Sequence, residues 1–290
     1  MEFTKMQGAG NDFIILNNMD NKIPFSSLPS LAKHLCTRKM SIGADGFMVL
    51  VPSDQGADFK MLFYNSDGSV GEMCGNGARC ICRYAYENRL SGEKQSVETT
   101  AGIVYGERIT SREYRIRLND PTLVETNKKI RIDDKEYTVD YIELGDPSIP
   151  HCVVTMDDPS ELDYPALAVL GSKIRYYNGF PKGANVSFTA VQSRNHVIAA
   201  TFERGVEDFT LACGTGCGSI VTAHALNDRT ESENVTVSMP GGDLHVSVNL
   251  DGPLPHDLYL TGPTNIVCTG TVTLPRRQKI LPPPIRSVMI

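Results

Sequence analysis

The sequence lacks the features that mark membrane proteins and nucleic-acid-binding proteins. No apolar run approaches the roughly 18 residues that a membrane-spanning helix needs. The formal net charge is −6 and no basic stripe is present, which argues against nucleic acid as a main partner. Residues 1–7 lack the basic and apolar segments of a signal peptide. We therefore expect a cytoplasmic protein that acts on a small molecule, with no membrane and no nucleic-acid partner.

The sequence also lacks the motifs of common metal and nucleotide cofactors. Its eight cysteines show no paired C-x2-C spacing, so no metal site is expected. The Gly8-x-Gly10 turn lacks the third glycine of a dinucleotide fingerprint and leads into a strand, so no cofactor is expected. A reducing compartment argues against disulfides. We predict that five of the cysteines are small core residues: Cys36, Cys80, Cys152, Cys217 and Cys268.

What the sequence does contain is a cysteine–glycine motif that occurs twice. The two copies are Cys74-Gly75-Asn76-Gly77 and Cys213-Gly214-Thr215-Gly216, and they lie 139 positions apart in a chain of 290 residues. Each copy precedes a helix-like run, 78–88 and 219–226. A duplication at half the chain length predicts two related halves that face each other, each offering one cysteine at the start of a helix.

Cysteines in this position are suited to proton transfer. A thiol at a helix N-terminus meets unpaired backbone N–H groups and the positive end of the helix dipole, so its pKa is expected to fall. The same N–H groups can bind a carboxylate and stabilise the enediolate that forms when its α-proton leaves. Two sulfurs on opposite faces of the α-carbon could remove and return that proton, which is a cofactor-free racemisation. Structural cysteines are the alternative that the residues alone leave open.

Other polar residues near these motifs have two interpretations each. Asn11 and Asn65 lie in turns and could be turn formers or ligands. His151 precedes a buried strand, where a structural role is the more common one. Glu203 and Arg204 could form a structural ion pair or bind a substrate.

The pattern of elements indicates an α+β fold. Many short alternating runs predict mainly antiparallel strands, and two prominent helices follow the cysteines. We expect two pseudo-symmetric domains, each a sheet or barrel wrapped around a central helix. The expected limits are 1–120 plus about 265–280 for the half with Cys74, 121–264 for the half with Cys213, and 281–290 for a Pro-rich tail. Residues 121–124 are expected to form the crossing between the halves.

Taken together, the motifs resemble those of the diaminopimelate epimerase family of cofactor-independent, two-cysteine epimerases. The similarity runs through nearly the whole chain up to about residue 274. Its matching segments are 6–13, 65–80, 150–153, 183–188, 203–205, 212–216 and 240–242.

The resemblance implies a reversible interconversion of L,L- and meso-diaminopimelate in lysine and peptidoglycan biosynthesis. It implies that Cys74 and Cys213 are the acid and base and that His151 and Glu203 tune the thiols. The reacting carboxylate would be held by backbone at Gly75, Asn76, Gly214 and Thr215. The distal end of the substrate would be held by Asn11, Asn65, Asn185, Glu203 and Arg204. No cofactor is implied, and a homodimer is allowed.

The sequence departs from the family pattern at three positions. Ile149 stands where the family often has asparagine, Gly46 where a glutamine is sometimes found, and Cys268 where some members have a tyrosine linked to dimerisation. Two rival hypotheses follow the same residues. One is a racemase of another amino acid, such as histidine, on the same fold. The other is a cysteine hydrolase or transferase with Cys74 as nucleophile and His151 as base.

Overall fold

The computed structural model describes residues 1–71 and 74–273, and these contain four α-helices. The helices are α1 (Leu28–Cys36), α2 (Gly75–Glu87), α3 (Tyr164–Arg175) and α4 (Gly214–Leu226). Two single 3-10 turns, Phe25–Ser27 and Pro159–Glu161, precede α1 and α3. None of the helices in these described ranges is long and apolar enough to cross a membrane.

The described residues also form 17 strands that belong to one continuous sheet. In chain order they are β1 (Glu2–Gly8), β2 (Asn11–Asn17), β3 (Gly46–Val51), β4 (Phe59–Asn65), β5 (Lys94–Thr99), β6 (Gly102–Arg108), β7 (Glu113–Arg117), β8 (Pro121–Ile132), β9 (Lys135–Leu144), β10 (Ile149–Thr155), β11 (Asn185–Ser193), β12 (His196–Glu203), β13 (Asp208–Thr210), β14 (Val235–Met239), β15 (Gly242–Asn249), β16 (His256–Pro263) and β17 (Asn265–Thr271).

The strand pairing repeats, which confirms the predicted pseudo-symmetry. In the first half β2 and β3 pair in parallel, as do β4 and β5. In the second half β10 and β11, and β12 and β14, pair in parallel in the same order. The helices occupy matching places, because α1 and α3 link the first parallel pair of each half, and α2 and α4 link the second. The two halves join where β7 pairs with β16, and β17 returns to pair with β1.

Each half wraps its sheet around one central helix. Around α2, Cys80, Ile81 and Ala85 are buried in one cluster with Phe13 and Met48. Around α4, residues from Gly214 to His224 are buried on nearly every side, and Cys217, Ile220 and Val221 join the largest core cluster. A helix buried on all sides cannot shift easily, so both cysteine motifs are held in fixed places. The α+β fold class is thus confirmed.

Several local predictions need correction. Both central helices begin earlier than predicted, at Gly75 and Gly214 directly after the cysteines. Residues 121–124 are not a crossing segment but the start of β8. Cys268 is exposed on β17, so the prediction that it is a core residue was wrong, whereas Cys36, Cys80, Cys152 and Cys217 are buried. The predicted tail, 281–290, lies outside the described residues, and the domain limits stay a prediction.

Candidate active site

The two cysteines of the duplicated motif occupy equivalent positions in the two halves. Cys74 is the N-cap residue of α2 with φ −110° and ψ 118°, and Cys213 is the N-cap residue of α4 with φ −119° and ψ 107°. Each extended N-cap turns the chain sharply into a helix that starts with glycine. Cys74 is half-buried and Cys213 is buried. Both sulfurs therefore belong to helix N-termini, as the sequence predicted.

The N-termini of α2 and α4 come close together. A Cβ atom placed on Gly214 would lie 3.8 Å from Cα of Gly75 and 3.9 Å from Oδ1 of Asn76. The side chain of Asn76 spans the gap, since its Nδ2 donates to Oδ1 of Asn11 (2.6 Å) and to the backbone oxygen of Ala212 (3.4 Å). Two positive dipole ends at this distance repel each other, and an anion bound between them would relieve that repulsion.

The pKa of both thiols is raised in the free protein, whereas the helix N-termini alone led us to expect it to fall. Burial raises the pKa of the Cys74 thiol, although the N–H groups of Gly77 and Asn76 lower it. Burial and the charge of Glu203 raise the pKa of the Cys213 thiol well above its usual value, against the N–H of Gly216. The helix N-termini act in the predicted direction, but removal from water outweighs them. Both thiols are therefore protonated in the free protein at neutral pH.

Glu203 is a titratable group that interacts directly with one of the two cysteines. It ends β12, and its carboxylate accepts a hydrogen bond from Oγ1 of Thr210 at 2.7 Å. Burial raises the pKa of the Glu203 carboxyl, which also interacts with Cys213. Its charge acts on both Cys74 and Cys213. The structure thus brings Glu203 together with the two cysteines, and Thr215 adds a contact of 3.7 Å from Oγ1 to Sγ of Cys213.

His151, Asn185 and Arg204 form a second group beside Glu203. His151 and Asn185 are opposite each other on the parallel strands β10 and β11. Asn185 is fixed by two hydrogen bonds: its Nδ2 donates to the backbone oxygen of Pro150 (3.3 Å) and its Oδ1 accepts from the backbone N–H of Arg204 (2.9 Å). Burial, with the charge of Arg204, lowers the pKa of His151 to about 3. His151 is therefore neutral in the free protein.

The first half contributes Asn11 and Asn65. Asn11 accepts from Asn76, as described, and its Nδ2 lies 3.5 Å from Oδ2 of Asp45. Asn65 ends β4, opposite Gly46 on β3, and its Nδ2 donates to Oγ of Ser69 at 2.9 Å. The pseudo-symmetry makes the end of β4 equivalent to the end of β12, so Asn65 corresponds to Glu203.

The sequence analysis assigned no part in the site to several residues that hold it together. Asp12 fixes the turn between β1 and β2 through ion pairs with Lys5 (3.0 Å) and Arg38 (2.6 Å). Gly241 packs directly on the first loop, because a Cβ there would stand 2.2 Å from the backbone oxygen of Ala9. Arg79 on α2 is fully buried, which the sequence did not predict. Carboxylates and arginines at these spacings carry no local signal, since only the fold brings them together.

No group of metal-ligating side chains in the described ranges could hold a metal ion. The predicted absence of a cofactor stays a prediction. The roles assigned to individual site residues also stay predictions.

Comparisons with known proteins identify first the fold and then the family. The fold matches the crystal structure of a probable proline racemase from Agrobacterium radiobacter K84, with a TM-score of 0.68 at 14% identity, covering 94% of this chain and 93% of that one. The family model for diaminopimelate epimerase matches residues 3–115 and 146–267. The chain is also similar to the diaminopimelate epimerases of Halothermothrix orenii, 33% identical, and Desulfitobacterium hafniense, 35% identical. Each match covers 94% of this chain and 98% of the relative.

The chain belongs to the diaminopimelate epimerase family, and the predicted resemblance is confirmed. The protein is accordingly an isomerase, as predicted.

Proposed function

We propose that the protein interconverts L,L- and meso-diaminopimelate without a cofactor, as a step of lysine and peptidoglycan biosynthesis. The observation that carries the proposal is the pair of equivalent cysteines at two helix N-termini that approach each other. Family membership supports the choice of substrate, because the curated relatives are named for this reaction.

The proposed reaction uses the backbone and the two sulfurs. The α-carboxylate lies against the N–H groups at Gly75, Asn76, Gly214 and Thr215, where the dipoles of α2 and α4 converge. One cysteine first loses its thiol proton to solvent. As a thiolate it then takes the α-proton, and the electron pair of the C–H bond moves into the carboxylate to give an enediolate. The other cysteine, as thiol, donates its proton to the opposite face of the α-carbon. The reaction exchanges which sulfur carries the proton.

Substrate binding itself helps to form the thiolate. The charge of Glu203 opposes ionisation of both Cys74 and Cys213 in the free protein. A substrate ammonium group beside Glu203 would offset that charge and lower the pKa of both thiols. The distal carboxylate would meet the guanidinium of Arg204, whose Nη1 now donates to the backbone oxygen of Lys182 at 2.9 Å. Asn11, Asn65 and Asn185 complete this part of the site.

This chemistry also bears on where the protein works. The mechanism needs both thiols reduced, and a reducing compartment keeps them so. We therefore keep the cytoplasm as the proposed location. A homodimer stays a prediction.

A substrate panel with purified, reduced protein tests the proposal. We expect epimerisation of L,L-diaminopimelate and little or none of L-histidine, because an imidazole makes no use of the Glu203–Arg204 pair. Turnover of histidine with no turnover of diaminopimelate would keep the fold and overturn the substrate. No turnover of any amino acid under reducing conditions would instead favour the cysteine hydrolase or transferase hypothesis, in which Cys213 is dispensable and only Cys74 is needed.

A further inference from the structure

Arg79 is a charged residue in the protein core that forms no ion pair with the residues that the structure describes. Its side chain is fully buried on α2, one turn after Cys74. No carboxylate of the described residues pairs with it, and among those residues its one hydrogen bond runs from Nη2 to Oδ1 of Asn76 at 2.8 Å. Burying a guanidinium without a counter-charge is unfavourable, so a purely structural role explains this residue poorly.

A glycine on a neighbouring strand makes room for this guanidinium. Gly262 on β16 faces it, and a Cβ at this position would stand 3.2 Å from both Cζ and Nε of Arg79. The guanidinium therefore lies against a strand that has no side chain at the contact. Because α2 packs on several strands, little space is left around the guanidinium.

The hydrogen bonds that start at Arg79 have a fixed direction. A guanidinium can only donate, so it holds the oxygen end of the Asn76 amide toward itself. The nitrogen end of Asn76 must then point the other way, where it donates to Oδ1 of Asn11 at 2.6 Å. This uses the oxygen of Asn11. Its Nδ2 carries two N–H groups, of which one faces Oδ2 of Asp45 at 3.5 Å and the other can meet a ligand. A donor at this place suits a carboxylate oxygen.

We propose that Arg79 is a positioning residue that fixes the direction of the Arg79–Asn76–Asn11 chain, so that Asn11 presents a hydrogen-bond donor to a substrate carboxylate. The same guanidinium places a positive charge beside the cysteines. It interacts with Cys80, Cys74 and Cys217. Burial dominates the raised pKa of the Cys74 thiol, but the charge of Arg79 acts to lower it.

The test compares Arg79→Met with the parent protein in two measurements. The first is KM and kcat for L,L-diaminopimelate, which rests on the proposed function. The second is the pH dependence of Cys74 alkylation by iodoacetamide, read peptide by peptide in a mass spectrometer, which does not. We expect KM to rise about tenfold while the melting temperature is kept. Cys74 alkylation at neutral pH should become about threefold slower, because the thiolate fraction falls.

The matched control is Arg83→Met, one turn further along α2. Arg83 donates to the backbone oxygen of Thr264 at 2.5 Å and pairs with Glu87, so its loss should lower the melting temperature without moving KM or the Cys74 profile. Arg79→Lys keeps the positive charge but has a shorter reach to Asn76. If Arg79→Met fails to fold, Arg79→Lys tests the inference in its place. We then expect its KM to rise and its Cys74 alkylation profile to stay that of the parent.

An unchanged KM in Arg79→Met, whatever its alkylation profile, would overturn the inference. So would an unchanged KM in Arg79→Lys, if that is the variant that folds. If the parent protein does not act on diaminopimelate, the proposed function is wrong but the inference about Arg79 is not yet contradicted. The Cys74 profile of Arg79→Met would then decide the inference.

Discussion

At the scale of single residues, the site combines two equivalent cysteines, one from each half, with a glutamate that occurs in the second half alone. The motif itself predicted Cys74 and Cys213, because two copies at half-chain spacing are hard to explain otherwise. The sign of their pKa shifts could not be predicted, since burial of a sulfur depends on the packing of distant strands. Glu203 stands where the first half has Asn65, so at this pair of equivalent positions the second half contributes the negative charge.

The charge of Glu203 leads to a prediction for Glu203→Gln. After burial, this charge is the main influence that raises the pKa of the Cys213 thiol, and it also raises the pKa of Cys74. Its removal should lower both pKa values, so iodoacetamide alkylation of each thiol should begin at lower pH than in the parent. Peptide-resolved alkylation from about pH 6 to pH 10 would measure the change. Profiles unchanged or moved to higher pH would contradict the assigned role.

At the scale of elements, the N-termini of α2 and α4 are the parts of the fold that form the site. Their start was predicted three to five residues too late, because glycine and asparagine are weak helix formers in a sequence. In the structure the first turns are stabilised by packing instead. Gly214 touches Leu260, and α2 and α4 meet at their ends. Small residues at this meeting point leave room for a ligand carboxylate.

The variant Gly214→Ala tests that use of space. The added methyl group would stand 2.9 Å from Cδ2 of Leu260, in the gap where α2 and α4 approach. We expect a folded protein in which kcat/KM falls about a hundredfold, since the reacting carboxylate is displaced from its donors. Gly218→Ala is the matched control, because its Cβ would also lie 2.9 Å from a leucine, Leu258, one turn further inside α4. Similar losses of stability in both variants, with activity lost only in Gly214→Ala, are expected. Equal losses of activity would contradict the account.

At the scale of the whole molecule, one sheet winds around two buried helices and keeps polar groups in its core. The repeated order of strands could be inferred as a duplication, but the continuity of the sheet through β7 and β16 could not, because long-range pairing leaves no local pattern. His224 on α4 is one such buried polar residue. Its Nε2 contacts Oγ1 of Thr189 on β11 at 2.9 Å. Burial, with the charge of Arg229, lowers its pKa to about 4.

This histidine gives the protein a predictable sensitivity to acid. Its pKa is lower in the folded state than in the unfolded chain, so below about pH 6.5 the unfolded chain binds more protons and the free energy of unfolding falls. Between pH 7 and pH 5 this costs about 2 kcal/mol. His224→Gln should therefore lose about 2 kcal/mol less than the parent over this range in urea unfolding. The exposed His34→Gln is the control and should follow the parent; an equal loss in all three proteins would refute the assignment.

The central claim is that two sulfurs act on opposite faces of one carbon, and NMR of the reaction in D2O tests it most directly. L,L-diaminopimelate is mixed with the parent protein, with Cys74→Ala and with Cys213→Ala, all reduced. With two sulfurs on opposite faces, early meso product of the parent is expected to carry deuterium at the inverted carbon while unreacted substrate keeps its proton. Each substitution is also expected to slow epimerisation at least about a thousandfold. Deuterium appearing in unreacted substrate as fast as in product, or epimerisation that persists without one of the cysteines, would contradict the claim.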